Sequence, residues 1–309
     1  MDFTQQNLET LASLRLQNVS VEHRVVADRK MGERYHFFNG VWWHRVKPFF
    51  YLPASFLLPL RPHESPPSPW IALGGYYHVV PDGSLGNGSI VTNEVSDPAK
   101  FQLEMLKQSK NGPRKMREIE RGLSVLAIRR VVNLGDLLDD GYRVFRDWEQ
   151  RTAALWSKDI QTANFQRWAD RVFHHPFDLL LGAYFKDRLV AFALMKATDG
   201  VANLMNTFGD HSIYKALRIS PATILNYAYI KICGQSAGIH KAINGLRSNK
   251  DSLEHYKTEL GYRHVCYPAF ICLRGLVRPL VRLLMPVQYC RLMGEYTAVG
   301  TRPIKSKDV

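Results

Sequence analysis

The chain lacks what builds several protein classes. Only four of its 309 residues are cysteine (Cys233, Cys266, Cys272 and Cys290), all late in the chain and without metal-ligand spacing. A disulfide-stapled secreted scaffold and a zinc module are both poor fits, and four reduced thiols in a cytoplasmic protein are expected. No apolar run reaches the ~18 charge-free residues that a bilayer-spanning helix needs. The opening, Met1 to Gln6, has neither the basic nor the apolar segment of a secretory signal. Gly-x-Ser-x-Gly and His-Glu-x-x-His are absent, which removes the serine-hydrolase elbow and the zincin site. The glycines at 83, 86 and 88 lack a following Gly-Lys-Ser/Thr, so that stretch reads as a surface turn and not a phosphate loop. Acidic residues are scarce, 28 against 41 Lys and Arg.

The resulting net charge of +13 points to anionic partners: nucleic acid, phosphorylated cosubstrates or an anionic membrane surface. Two segments hold much of the excess. Residues 107–130 carry eight Lys and Arg against Glu118 and Glu120, and residues 262–309 carry eight against Glu295 and Asp308. Each is otherwise a solvated face.

A helical pattern covers 4–18. Asn39 and Gly40 between aromatic runs predict a hairpin, because both can take positive φ. Four prolines in 61–69 exclude a helix there, and 70–80 reads as a strand. A helical pattern from 97 breaks at Asn111, Gly112 and Pro113, resumes, and ends at Gly122 as at a C-cap. This places a domain boundary near 120, with an N-terminal lobe at 1–120 and a second domain at 121–309. The second begins with a strand at 123–132 and helices at 137–156 and 163–173. Strands follow at 177–185, 188–196 and 201–208, with turns at Lys186-Asp187 and Asp199-Gly200. Ser220 and Pro221 open a helix running to about 237, as N-cap and first-turn proline. A strand at 241–246, a helix at 251–260 closed by Gly261, and a strand at 263–273 complete the order.

That order, with Tyr256-Lys257-Thr258-Glu259-Leu260-Gly261, resembles the GNAT acyltransferases and within them the FemAB-like branch. The six residues are similar to the aromatic-Lys-x-x-aliphatic-Gly signature of that branch. Asn249 and Tyr256 keep the GNAT spacing of seven, and Gly261 falls at the FemAB-like spacing from Tyr256. Arg114-Lys115-Met116-Arg117 is similar to the basic helix before the second FemAB-like domain. The resemblance covers about 114–275. It implies an α/β fold with a mixed sheet, in a two-lobed arrangement whose N-terminal lobe is a degenerate GNAT-like half. It further implies that the strands at 201–208 and 241–246 are parallel neighbours that diverge to admit an acyl donor.

The implied activity is N-acyl transfer from acyl-CoA, acyl-carrier protein or aminoacyl-tRNA to an amine. Nothing is bound tightly; the acyl donor is a cosubstrate. The alternative is an inactive GNAT-like module holding an anionic partner. Lys257 would stabilise the oxyanion and Tyr256 would protonate the leaving group. The bland reading puts Tyr256 in the core and Lys257 in water, and neighbours on a helix do not face the same way. For the donor, the resemblance points to Arg218, Ser220, Asn206, Thr207 and Asn249. Asn249 and Ser252 could equally cap a helix. The sequence departs from the GNAT pyrophosphate loop by placing Pro221 where a glycine stands. Proline has no N–H for a phosphate, although the helix end keeps its dipole. His174 and His175 read as a solvated turn, or a base. Residues 274–293 set arginines among leucines and valines. They suit either peripheral membrane contact or a terminal helix packed with its arginines outward.

Overall fold

The structure is a computed structural model and describes residues 2–109, 111–152, 164–248, 250–284, 286, 289–290 and 293. Two compact units interleave along the chain. The first comprises Met1–Val19, Val95–Asn244 and Glu259–Tyr262, and the second Ser20–Glu94, Gly245–Thr258 and Arg263–Val309. Residue 120, the expected boundary, lies inside the helix Gly112–Val125 of the first unit. Gly122 is the reason for the misreading. It does not cap the helix but lets another element approach, since a Cβ there would come within 2.2 Å of the Ile224 side chain.

In the first unit the strands run in the order Ala127–Arg130, Leu179–Phe185, Arg188–Thr198, Val201–Gly209, Lys241–Leu246. The first three junctions are antiparallel and the last is parallel. Both expected two-residue turns are present, with φ of 50° and 61° at Lys186 and Asp187 and 49° and 80° at Asp199 and Gly200. The parallel junction requires a crossover, supplied by the helix Pro221–Gln235, which packs on Arg188–Thr198 and Val201–Gly209. The other face of the sheet carries an aromatic core. Phe145, Phe165 and Trp168, from the helices Tyr142–Thr152 and Phe165–His174, meet Phe192 and Phe208. Strands covered on both faces read as continuous apolar runs, as 188–198 does. The helix His211–Leu217 was not anticipated. Of the long helix expected over 137–156, residues 153–156 lie outside the described residues.

The second unit has the strand order Tyr35–Phe38, Val41–Lys47, Phe50–Pro53, Gly75–Val79, Arg263–Leu273, Gly88–Val95. The expected hairpin is there, with Asn39 at φ 47° and Gly40 at 81°. The strand expected over 70–80 starts only at Gly75, because a turn of 3-10 helix occupies Ser68–Ile71. Arg263–Leu273 is antiparallel to Gly75–Val79 on one side and to Gly88–Val95 on the other. Trp43, Tyr51, Leu60, Ile71 and Tyr76 make the core on this sheet. Among the described residues no helix is long and apolar enough to cross a membrane.

Candidate functional site

In the first unit, Val201–Gly209 and Lys241–Leu246 pair over three residues only, from Val201↔Lys241 to Asn203↔Ile243. The two strands run parallel as expected and then part. Val201–Gly209 meanwhile stays paired with Arg188–Thr198 along its length, with one irregularity between Leu204 and Asn206. Met205 is the extra residue, half exposed. The bulge reverses which faces the later residues occupy. Asn206 and Phe208 stand opposite Leu194 and Phe192 of the aromatic core. Thr207 and Gly209 take the other face, where a Cβ on Gly209 would contact Ala222 of the crossover helix at 3.4 Å. Thr207 and Asn206 are therefore not joint ligands of one group.

Where the strands part, three residues not singled out from the sequence converge. The Asn244 amide donates to Asn226 Oδ1 at 2.6 Å, the Tyr262 hydroxyl donates to the same oxygen at 3.4 Å, and Asn226 Nδ2 donates to the Ala222 carbonyl at 2.9 Å. Tyr229, wholly buried, accepts from Ile243 N and donates to Ile243 O, both at 3.1 Å. A lone asparagine in the otherwise apolar run 224–230 was the available signal.

The amino end of the crossover helix is already occupied. The Ser220 N–H donates to Glu118 Oε1 at 2.9 Å, and the Ser220 side chain makes no capping bond. Glu118 also accepts from Lys115 Nζ at 2.8 Å, and Lys115 lies 4.0 Å from Glu259. A carboxylate thus sits where the helix dipole favours an anion. Pro221 and Glu118 both disfavour a pyrophosphate there. Arg218 is exposed, with φ 57° at the end of the helix His211–Leu217.

In the second unit, the helix Asp251–Glu259 turns Glu254 and Lys257 inward, at 6% exposure each, and leaves Tyr256 half-buried. Lys257 is not a solvent lysine. Its Nζ lies 3.9 Å from Glu254 Oε1, one turn away. Glu254 accepts from the Ser248 N–H and from His264 Nε2, each at 2.8 Å. Burial works to raise the Glu254 pKa. The Lys257 ammonium and the bonds from Ser248 and His264 outweigh it and hold the carboxyl below its ordinary value of 4.5. Gly245 takes φ +66°, and among the described residues beyond its chain neighbours, Lys257 Nζ alone comes within 4.0 Å of where its Cβ would stand. The ammonium therefore lies beside a residue without a side chain.

Asn93 is directly opposite His264 in the strand register. It is 1% exposed, with neither side-chain polar atom hydrogen-bonded among the described residues. The three-residue spacing from Glu254 to Lys257 was a signal that the sequence reading did not use; His264 and Asn93 come from distant strands and left none. Asn249 lies outside the described residues, and Ser252 is exposed.

The turn at 174–175 differs from expectation. His174 is exposed, but His175 is buried 3.1 Å from Asp178, which lies 3.5 Å from Lys196. A pocket of about 390 Å³ lined by Leu134, Leu138, Gln166, Arg167 and Asp170 includes none of the expected site residues. All four cysteines are free thiols.

No protein-family model matches the sequence, and no curated protein matches it. Solved structures do. The C-terminal domain of a protein named as a lysylphosphatidylglycerol synthetase from Agrobacterium fabrum is 11% identical, over 96% of this chain and 100% of that one, with a TM-score of 0.52. FemX is 9% identical, over 91% of this chain and 98% of that one, with a TM-score of 0.51. The fold is the mixed-sheet, GNAT-like and FemAB-like one that the sequence resembles.

Proposed function

We propose that this chain transfers an acyl or aminoacyl group to an amine, with Lys257 as the charge that stabilises the tetrahedral oxyanion. One observation carries the reading: a buried lysine, 3.9 Å from the Glu254 carboxylate, beside Gly245, which has no side chain. The fold likeness to two solved proteins, one of them named as a lysylphosphatidylglycerol synthetase, is in keeping with acyl or aminoacyl transfer.

The amine nitrogen attacks the carbonyl carbon of the donor and a C–N bond forms. The carbonyl electron pair moves to oxygen, where the Lys257 ammonium meets it. Collapse of the intermediate breaks the C–O or C–S bond to the carrier. The leaving atom takes a proton, which we assign to the Tyr256 hydroxyl, and the proton that the nitrogen gives up returns to the Tyr256 oxygen. Pro221 and the Glu118 carboxylate at Ser220 favour an aminoacyl-tRNA or acyl-carrier donor over coenzyme A bound in the usual GNAT manner. The basic stretch 107–130 suits such a polyanion.

Mass spectrometry of ligands that co-purify with the protein, followed by transfer assays with aminoacyl-tRNA, acyl-carrier protein and acyl-CoA, tests the reading. With the productive donor, Lys257→Met should lower turnover by roughly 100- to 1000-fold with little change in donor affinity. Lys257→Arg should restore part of it, and Tyr256→Phe should slow the reaction without loss of stability. A melting curve on Lys257→Met separates lost catalysis from lost folding. Transfer from none of the donors, or an unaffected Lys257→Met protein, leaves the chain an anion-binding module.

A further inference from the structure

The helix Val277–Leu284 keeps its arginines outward, as one of the two sequence readings has it, and its leucines outward as well. Its valines, Val277 and Val281, are half-buried, whereas Leu276, Leu280, Leu283 and Leu284 are 84, 53, 78 and 67% exposed. The leucine spacing of four, three and one gathers them into one stripe roughly 100° wide. Leu73, 67% exposed, adjoins the base of this stripe, because Gly74 accepts a backbone bond from Arg274 at 2.9 Å. Exposed apolar patches of this kind mark an interaction surface.

Residues 274–284 contain three arginines and no acid. Arg274 is anchored on Ser68 Oγ at 2.6 Å. Arg278 donates to the Tyr289 hydroxyl at 3.2 Å, and Arg282 lies over the Tyr289 ring at 5.9 Å. All three stay exposed, and the helical spacing sets Arg278 and Arg282 on the side of the helix away from the leucines. An exposed leucine stripe with cations on the other exposed side of the same helix matches a lipid interface with anionic headgroups, where the leucines enter the acyl boundary and the guanidiniums lie on the polar face. The charge of the patch thus selects among possible occupants.

We propose that the helix Val277–Leu284 docks this protein on an anionic bilayer surface without crossing it. The inference is independent of the acyl-transfer reading, since it uses none of the residues assigned to that site.

Co-sedimentation of the full chain with phosphatidylcholine vesicles, with and without phosphatidylserine, tests it. Binding should need the anionic lipid and weaken as salt rises. The double variant Leu276→Gln/Leu283→Gln, changed at two exposed positions, should bind about ten-fold more weakly or worse with an unchanged melting temperature. Three results would overturn the proposal: no sedimentation with anionic vesicles, binding that ignores the double substitution, or leucine variants that alter only the oligomeric state of a chain indifferent to vesicles.

Discussion

The two units hold their buried groups differently. The strands of the first are covered on both faces, and Arg188–Thr198 is buried from Leu189 to Met195 without a break. Polar groups are buried in both, Asn7, His175, Asp178, Asp210, Thr223, Asn226 and Ser236 in the first and His78, Thr92, Asn93, Glu94, Glu254 and Lys257 in the second, so the difference lies in how they are satisfied. Of the buried side-chain atoms without a hydrogen-bond partner among the described residues, Trp43 Nε1 and both polar atoms of Asn93 belong to the second unit and Arg143 Nε to the first. An apolar core is spent on stability, whereas buried polar groups cost stability unless they are satisfied. The unit that carries more of that cost is also the one that holds Lys257.

Substitutions should break this contrast in a definite order. Phe192, wholly buried at 4.9 Å from the Phe208 ring, anchors the first unit's core. Phe192→Ala should cost about 3–5 kcal/mol, read by chemical denaturation. In the second unit, Glu254→Gln should cost about 1–3 kcal/mol at neutral pH, because it leaves the Lys257 ammonium buried without its carboxylate. Glu254 has a lowered pKa in the fold, so its stabilisation is present above its ordinary value of 4.5 and is lost as pH falls through the lower folded value. The melting temperature of the parent should therefore drop more steeply with acid below pH 4.5 than that of Glu254→Gln. Asn93→Leu sharpens the comparison by reversing its sign. Removing an unpaired buried amide should be neutral or stabilising by about 1 kcal/mol. A large destabilisation would mean that the amide has a partner in solution.

Much of the first unit was legible because its signals are local. The turn pairs at 186–187 and 199–200, the proline at 221 and the unbroken apolar strands fix the topology with little help from distant residues. The second unit was harder to read. The strand Gly88–Val95 went unrecognised because it buries Thr92, Asn93 and Glu94. Glu94 is buried with the Tyr267 hydroxyl donating to it at 2.8 Å from another strand, a contact that no local pattern encodes. The helix Asp251–Glu259 and its closing Gly261, at φ 91°, were read correctly. That Lys257 is buried was not, since a lysine is seldom buried without a partner and Glu254 was not weighed as one.

The strand Arg263–Leu273 has a consequence for biosynthesis. It lies between Gly75–Val79 and Gly88–Val95, which have no pairing with each other. As the chain leaves the ribosome, both of those strands present bare edges until nearly two hundred further residues have been made. Unpaired edges held open that long are templates for wrong partners. The nascent protein should therefore lean on chaperones until its last strand arrives, long after the first unit's meander has had the chance to form.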